Sequence, residues 1–172
     1  ETLARVAAKN YRNGGKNPKA FRRTEFSLDE ILESPMLNYP LTAKMFCAPD
    51  EGAAAVIMCR GDLAATFSAN KPVYLRSTAI RTRTYGAYEV HATWAAVEED
   101  VSPTVYASKA AYEAAGIGPE DVDIAQLQDT DAGAEVIHMA ETGLCADGDQ
   151  EKLLAEGATE IGGTLPVNTD GG

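Results

Sequence analysis

Histidine and cysteine are both scarce, two of the first and three of the second in 172 residues. Cys47, Cys59 and Cys145 are odd in number, far apart and in no CxxC spacing. That argues against a secreted disulfide framework and for reduced thiols in a cytoplasm. Each reads as a small buried hydrophobe. Cys47 alone stands in a loop-like context, but no sequence neighbour would lower its pKa. No apolar run approaches the length of a membrane span; "AAAVIMC" is only as long as a buried strand. A signal-peptide pattern, internal repeats and low-complexity segments are missing too. Basic residues thin out along the chain: residues 98–172 hold seventeen acids against Lys109 and Lys152. With a formal net charge of −11, nucleic acid is a poor expected partner.

Hydrophobic residues at 45% and charged residues at 24% suit a globular chain with one domain or pieces of two. The chain opens on Glu1 and closes on "VNTDGG", which reads as a segment of a longer polypeptide. Residues 1–26 reverse the overall charge, with Arg5, Lys9, Arg12, Lys16, Lys19, Arg22 and Arg23 against Glu1 and Glu25. Such a patch on an acidic protein suits a small anion, including the phosphates of a nucleotide-like cofactor; a solvated surface fits it equally well.

The spacing of Leu3, Val6, Ala7 and Tyr11 predicts a helix stopped by Gly14-Gly15. "KNPKAFRRTEF" reads as an irregular basic loop. Ser27 and Glu30 stand in capping-box positions of a short helix ending before Pro35. "EGAAAVIMCR" and "PVYLRSTAIRT" read as strands, with a link between halves around Ala65 to Pro72. The polar and aromatic stretch "RTRTYGAYEVHATWAAVEED" has no steady period. A second helix begins at Ser102 and Pro103 and ends at Gly116. "DIAQLQ" then predicts a strand, "AGAEVIHMAETG" a helix and "GGTLPVN" a strand. This alternation implies α/β architecture with parallel pairing.

Chemistry concentrates where "DIAQLQ" meets the next helix. Gln128, Asp129 and Asp131 lie at the carboxyl end of a strand, where open α/β sheets place ligands. Asp129 or Asp131 serves equally well as the helix N-cap, which is the favoured reading. Gln128 can donate an N–H to a developing oxyanion but cannot act as a base at neutral pH. Glu135 and His138 have ExxH spacing, but a carboxylate-bridged metal site needs a second copy, so no metal is expected. A histidine hydrogen-bonded to a carboxylate on a partly buried helix face accounts for His138 better.

Several segments together resemble the thiolase superfamily, and most closely its sterol-carrier-type thiolases and actinobacterial lipid-transfer proteins. "APDEGAAAVIMC" resembles that family's "SDGAAA" strand, and "YEAAGIGPEDVDIAQLQD" its "aGlgpsDID…ELHD" helix and strand. "AETGLCADGD" is similar to "EALGLCpeG", and "GGTLPVNTDGG" to "GGkwpvNpsGG". The resemblance covers residues 47 to 172, and the basic N-terminal region is similar to the loop insertion that covers the cofactor in thiolases. It implies a partial thiolase-like α/β fold, with a mixed sheet and layered helices. Residues 1–26 would be part of the loop insertion, 27–70 the end of the N-terminal half and 71–172 the start of the C-terminal half. It also implies coenzyme A thioester as ligand, acyl- or steroid-type, with Arg12, Lys16, Lys19, Arg22 and Arg23 holding its phosphates. A homodimer, or a complex with a zinc-ribbon and OB-fold partner, follows from the same resemblance.

This sequence departs from the family at one informative place. The family's "HDCF", whose histidine helps polarise the thioester carbonyl, reads Gln128-Asp129-Thr130-Asp131. The nucleophilic cysteine and the "GHP" histidine of a thiolase fall outside residues 1–172. Ordinary Claisen chemistry is therefore not expected of this segment, since one lost oxyanion donor typically costs about 3 to 4 kcal/mol. The expected function is that of a thiolase-like lipid-transfer protein binding a thioester. Retro-aldol cleavage, acyl transfer by the longer polypeptide and a non-catalytic binding or scaffold role remain open. Asp129, Asp131 and one of Tyr74, Tyr85 or Tyr88 are the candidate acid–base groups for carbon–carbon cleavage.

Overall fold

The computed structural model describes residues 1–83 and 101–172. Helix α1 (Thr2–Lys16) is its hub, packed against α2 (Leu28–Leu32), α5 (Ala132–Glu141) and α6 (Gln150–Ala155). The expected apolar stripe is its inward face. Ala4, Val6, Ala7, Ala8 and Tyr11 join Ile31, Met45, Ala132 and Leu154 in one core, edged by Leu3, Phe26, Leu28, Leu41 and Val136. The Tyr11 and Phe26 rings meet edge to face, centroids 4.9 Å apart.

The expected stop at Gly14-Gly15 is corrected: α1 runs through both and ends at Lys16. Gly14 is there for close approach. A Cβ on it would stand 2.7 Å from the Arg22 carbonyl oxygen.

The capping box of α2 forms as expected, with Ser27 Oγ accepting from the Glu30 N–H and Glu30 Oε2 accepting from the Ser27 N–H. Those bonds hold the Glu30 carboxyl below its usual range. A small antiparallel hairpin follows, β1 (Met36–Asn38) with β2 (Leu41–Thr42), pairing Met36 with Thr42. A 3-10 turn, Ala43–Met45, brings the chain back to α1.

The strands expected at "EGAAAVIMCR" and "PVYLRSTAIRT" carry no ladder. A strand has no internal hydrogen bonds and needs a neighbour, and among the described residues these segments find none. Between them lie a 3-10 turn, Gly61–Leu63, and the four-residue α3 (Ala64–Phe67). "DIAQLQ" and "GGTLPVN" do meet in parallel, but only as the bridge Ala125–Val167. An antiparallel bridge joins Phe46 to Asp131. Among the described residues, pairing is thus mixed in direction and small in extent.

Helix α4 (Pro103–Ala115) keeps its expected signals: Ser102 accepts from the Thr104 N–H, and Gly116 closes the helix at φ 71. It lies on α5 through Tyr112 Oη, which donates to the Thr142 carbonyl at 3.0 Å. Helix α6 was not anticipated by the sequence reading. It tucks Leu154 into the core, and Glu151 accepts from Thr2 Oγ1 at 2.8 Å.

Candidate functional site

Where α1 and α5 cross, a lysine and a glutamate face each other out of water. Lys9 is 1% exposed and Glu135 0%, with Nζ 2.5 Å from Oε1. Desolvating two charges costs several kcal/mol each, so such a pair persists only when its other hydrogen-bonding positions are filled. Here they are. Lys9 also donates to the Val167 carbonyl at 2.9 Å, and Glu135 Oε2 accepts from Asn10 and Asn168, each at 2.9 Å. Asn168 adopts φ 51, a left-handed conformation that asparagine tolerates better than most residues. It takes the Leu127 N–H on Oδ1 and the Asn13 amide on its carbonyl, tying the "DIAQLQ" segment to α1.

Asn10 extends this network to Asp129, donating to Oδ2 at 3.1 Å. Burial raises the Asp129 pKa to about 6, helped by the charges of Glu135 and Asp170 and opposed by Lys9. A carboxyl in this range exchanges protons near neutral pH. Gly171 and Gly172 close over it: a Cβ on Gly172 would stand 2.1 Å from Asp129 Oδ2, and one on Gly171 2.7 Å from the Gly14 Cα. At Gly171 only backbone fits; at Gly172 a side chain would have to displace the Asp129 carboxylate.

Asp129 lines a cleft of about 320 Å³ between α1 and the loops at 17–22 and 44–50. Lys19, Arg22 and Lys44 bring positive charge to it, and Asp50 and Asp170 add negative charge. The Arg22 guanidinium donates to Tyr11 Oη at 2.7 Å and to the Phe46 carbonyl at 3.2 Å. The Lys44 ammonium sits 4.5 Å from the centre of the Phe26 ring. Arg22 is thus oriented by neutral groups, while Lys44 also feels the Glu30 carboxylate. Among the described residues, no histidine lines this cleft.

The residues singled out from the sequence are separated by the fold. Asp129 faces the cleft; Asp131 caps α5, accepting from Gly133 N at 2.8 Å and Ala134 N at 3.2 Å. Gln128 is exposed, its Oε1 3.3 Å from His138 Nε2. His138 Nδ1 lies 2.9 Å from Glu141 Oε2, so the carboxylate-bonded histidine of the sequence reading is found, with Glu141 as its partner. Glu135 faces Lys9 instead. Of the basic set, Lys19 and Arg22 line the cleft, Arg12 is paired with Glu160, and Lys16 and Arg23 lie exposed outside its lining. Tyr74 is exposed beside Gly61, while Tyr85 and Tyr88 lie outside the described residues.

Two cysteine expectations are corrected: Cys47 is exposed although it adjoins the Phe46–Asp131 bridge, and Cys59 is exposed because its segment finds no partner among the described residues. Cys145 is half-buried, and burial with Asp149 and Asp147 nearby pushes its thiol pKa up. Among the described residues no group of three or more His, Cys, Asp or Glu could hold a metal ion. No described helix is long and apolar enough to cross a membrane.

Lys9, Asn10 and Lys44 were missed. A signal existed for the first two. Lys9 is three residues after Val6 and Asn10 three after Ala7, which puts polar groups inside the apolar stripe of α1.

Comparison with known proteins bears out the resemblance to the thiolase superfamily. Residues 89–172 match the family described as thiolase C-terminal domain-like. The solved Ltp2-ChsH2(DUF35) aldolase superposes with a TM-score of 0.80, covering 99% of this chain and 44% of that chain at 23% identity. That likeness speaks for the fold, which is thiolase-like.

Among individual relatives, the benzoylsuccinyl-CoA thiolase subunit BbsB of Thauera aromatica is 31% identical over all of this chain and 43% of its own length. Sterol carrier protein 2 of Rattus norvegicus is 30% identical, again over all of this chain but 31% of its own length. The acetyl-CoA acetyltransferase of Methanothermobacter thermautotrophicus is 30% identical over 43% of its length. The chain therefore spans less than half of the relatives it matches.

Proposed function

We propose that this chain forms the thioester-binding part of a thiolase-like protein of the lipid-transfer branch, taking an acyl- or steroid-coenzyme A thioester. Lys19, Arg22 and Lys44 would meet the phosphates, and Asp129 would handle a proton near the acyl group. The observation that carries this reading is the cleft itself. It sets three cations and a carboxyl with a pKa of about 6 around one space. General acid–base catalysis by such a group typically supplies about 10²- to 10⁴-fold in rate. The names of the relatives, with thioesters in two of them, point the same way.

On this reading residues 1–26 are the loop insertion, 27–70 the end of one thiolase half and 71–172 the start of the next. The structural neighbour, an Ltp2-ChsH2(DUF35) aldolase, pairs two components, which supports a partner subunit for the longer polypeptide. Carbon–carbon cleavage of the retro-aldol type is favoured over acyl transfer, because the place of the family's carbonyl-polarising histidine is taken by Gln128, whose side chain turns to His138.

The test uses the full-length polypeptide that carries this chain. Titration calorimetry with acetyl-CoA and a medium-chain acyl-CoA should show binding, weakened at least about tenfold in an Arg22→Glu/Lys44→Glu variant. The denatured mass after incubation with a 3-oxoacyl-CoA should be unchanged. No binding at millimolar thioester sinks the proposal, and a covalent acyl increment replaces retro-aldol chemistry with acyl transfer.

A further inference from the structure

We propose that the Lys9–Glu135 pair, acting through the Asn10 side chain, is a buried positioning device for the Asp129 carboxyl. The inference rests on the reading of Asp129 as the acid–base group of the cleft, and deepens it.

The first ground is energetic. A Lys–Glu pair at 1% and 0% exposure is a poor route to stability, since packed apolar side chains of equal volume commonly do as well or better. Its presence at the α1–α5 crossing calls for another reason.

The second ground is the geometry of Asn10. Its Nδ2 group carries two hydrogens, one given to Glu135 Oε2 at 2.9 Å and the other to Asp129 Oδ2 at 3.1 Å. Two carboxylates on one amide nitrogen fix the amide's orientation, because the reverse placement would set oxygen against oxygen. The consequence is visible at the other end: Asn10 Oδ1 is buried and accepts no hydrogen bond among the described residues. A buried acceptor left unmade carries its full desolvation penalty. Asn10 is held for its donors.

Asp129 is thereby tied by Oδ2, while no described side chain bonds its Oδ1. The charges facing it come from three places. Lys9 on α1 and Glu135 on α5 act through Asn10, and Asp170 reaches it from the C-terminal turn. Lys19, Arg22, Lys44 and Asp50 share its cleft. Lys9 is committed to Glu135, so the charge on Asp129 has no buried cation of its own. Glu135 thus has two effects on Asp129: it anchors the amide that orients the carboxyl, and its charge holds the proton there.

The experiment follows the Asp129 carboxyl by carbon-13 NMR titration in the full-length polypeptide, with Asp129→Asn assigning the signal. Glu135→Gln removes the fixed charge and should lower the midpoint by about one pH unit. Asn10→Ala leaves the ion pair in place and cuts its link to Asp129. The midpoint should rise, since an N–H donor to the carboxylate is lost. In the same variant, exchange of the acyl α-protons of bound acetyl-CoA with solvent deuterium, measured at saturating thioester because Asn10 also lines the cleft, should slow at least about tenfold.

A merely structural role would lower stability without moving the midpoint. An Asn10→Ala midpoint that stays in place overturns the device whatever Glu135→Gln does, since the Glu135 charge also reaches Asp129 through space; Asn10→Ala keeps the question answerable if Glu135→Gln does not fold. If Asp129→Asn leaves α-proton exchange and its pH profile unchanged, the acid–base reading falls and the device with it. The carboxyl titration tells the two failures apart.

Discussion

Helix α1 and the segment from Glu51 to Ile80 are both rich in alanine and aliphatic residues, yet they meet opposite fates. In α1, Ala4, Val6, Ala7 and Ala8 are at most 8% exposed; in the segment, Val56, Ile57, Val73 and Ile80 are 83% to 98% exposed. The difference lies in where each backbone finds its hydrogen bonds. A helix satisfies its own interior and then needs only a surface to pack on. Apolar sequence of strand type must first find an edge, because every one of its ladder bonds is made to another segment. Burial here therefore follows pairing opportunity, and hydrophobicity alone does not secure it. The same contrast bears on the proposed site, since Asp129 is bonded by Asn10 of the buried helix.

The sharpest way to break the comparison is to strike the α1–α5 crossing. Glu135→Ala leaves the Lys9 ammonium buried without its carboxylate and should cost about 3 to 5 kcal/mol in urea unfolding. Replacing both partners, as Lys9→Met/Glu135→Leu, should recover most of that loss. If the single substitution proves neutral, the crossing is not the organising centre of the fold.

Met139 tests the apolar side of the same region. It is fully buried on α5, and Met139→Ala should destabilise by about 2 to 4 kcal/mol through lost contacts and the cavity left behind. A loss below about 1 kcal/mol would mean that the helical region is as loosely packed as the segment it is compared with.

What could be read in the sequence divides along the same line. The start of α2 was legible because Ser27 and Glu30 signal each other within one turn. The ends of α4 were legible because Ser102, Pro103 and Gly116 act locally. The joint at Gln128 to Asp131 was located, but three adjacent polar residues gave no means of telling which one faces a cleft and which caps a helix. The Lys9–Glu135 pair was invisible, since its members are 126 residues apart and each alone reads as a surface charge. The strands expected at 51–60 and 72–82 carry no ladder among the described residues for a related reason. Their composition specifies a pleated surface, but the presence of a neighbour is not written in the segment itself.

Asp129 offers a smaller test, one that depends on pH. Its pKa of about 6 lies above the ordinary 3.8, so folding disfavours its charged form. Below pH 3.8 the carboxyl is protonated whether folded or unfolded, and no stability is lost. Between pH 3.8 and about 6 the unfolded chain ionises while the folded chain keeps its proton, so stability falls across that window and levels off above it. Asp129→Asn is neutral throughout. It should match the unmodified chain near pH 4 and exceed it by on the order of 1 kcal/mol at pH 7, after allowance for solvent screening. A constant difference across that range would mean that Asp129 carries no raised pKa.

The smallest expected effect bears on the other side of the comparison. Ile57→Ser/Val73→Ser changes two of the most exposed aliphatic side chains, and neither has a packed environment to lose. In a polypeptide of residues 1–172 the unfolding free energy should move by no more than about 0.5 kcal/mol. The same double substitution in the full-length polypeptide is the informative control. A penalty of several kcal/mol appearing only there would show that these segments gain their ladder from chain outside residues 1–172. Equal and negligible effects in both would mean that the strand-like composition is never used for pairing.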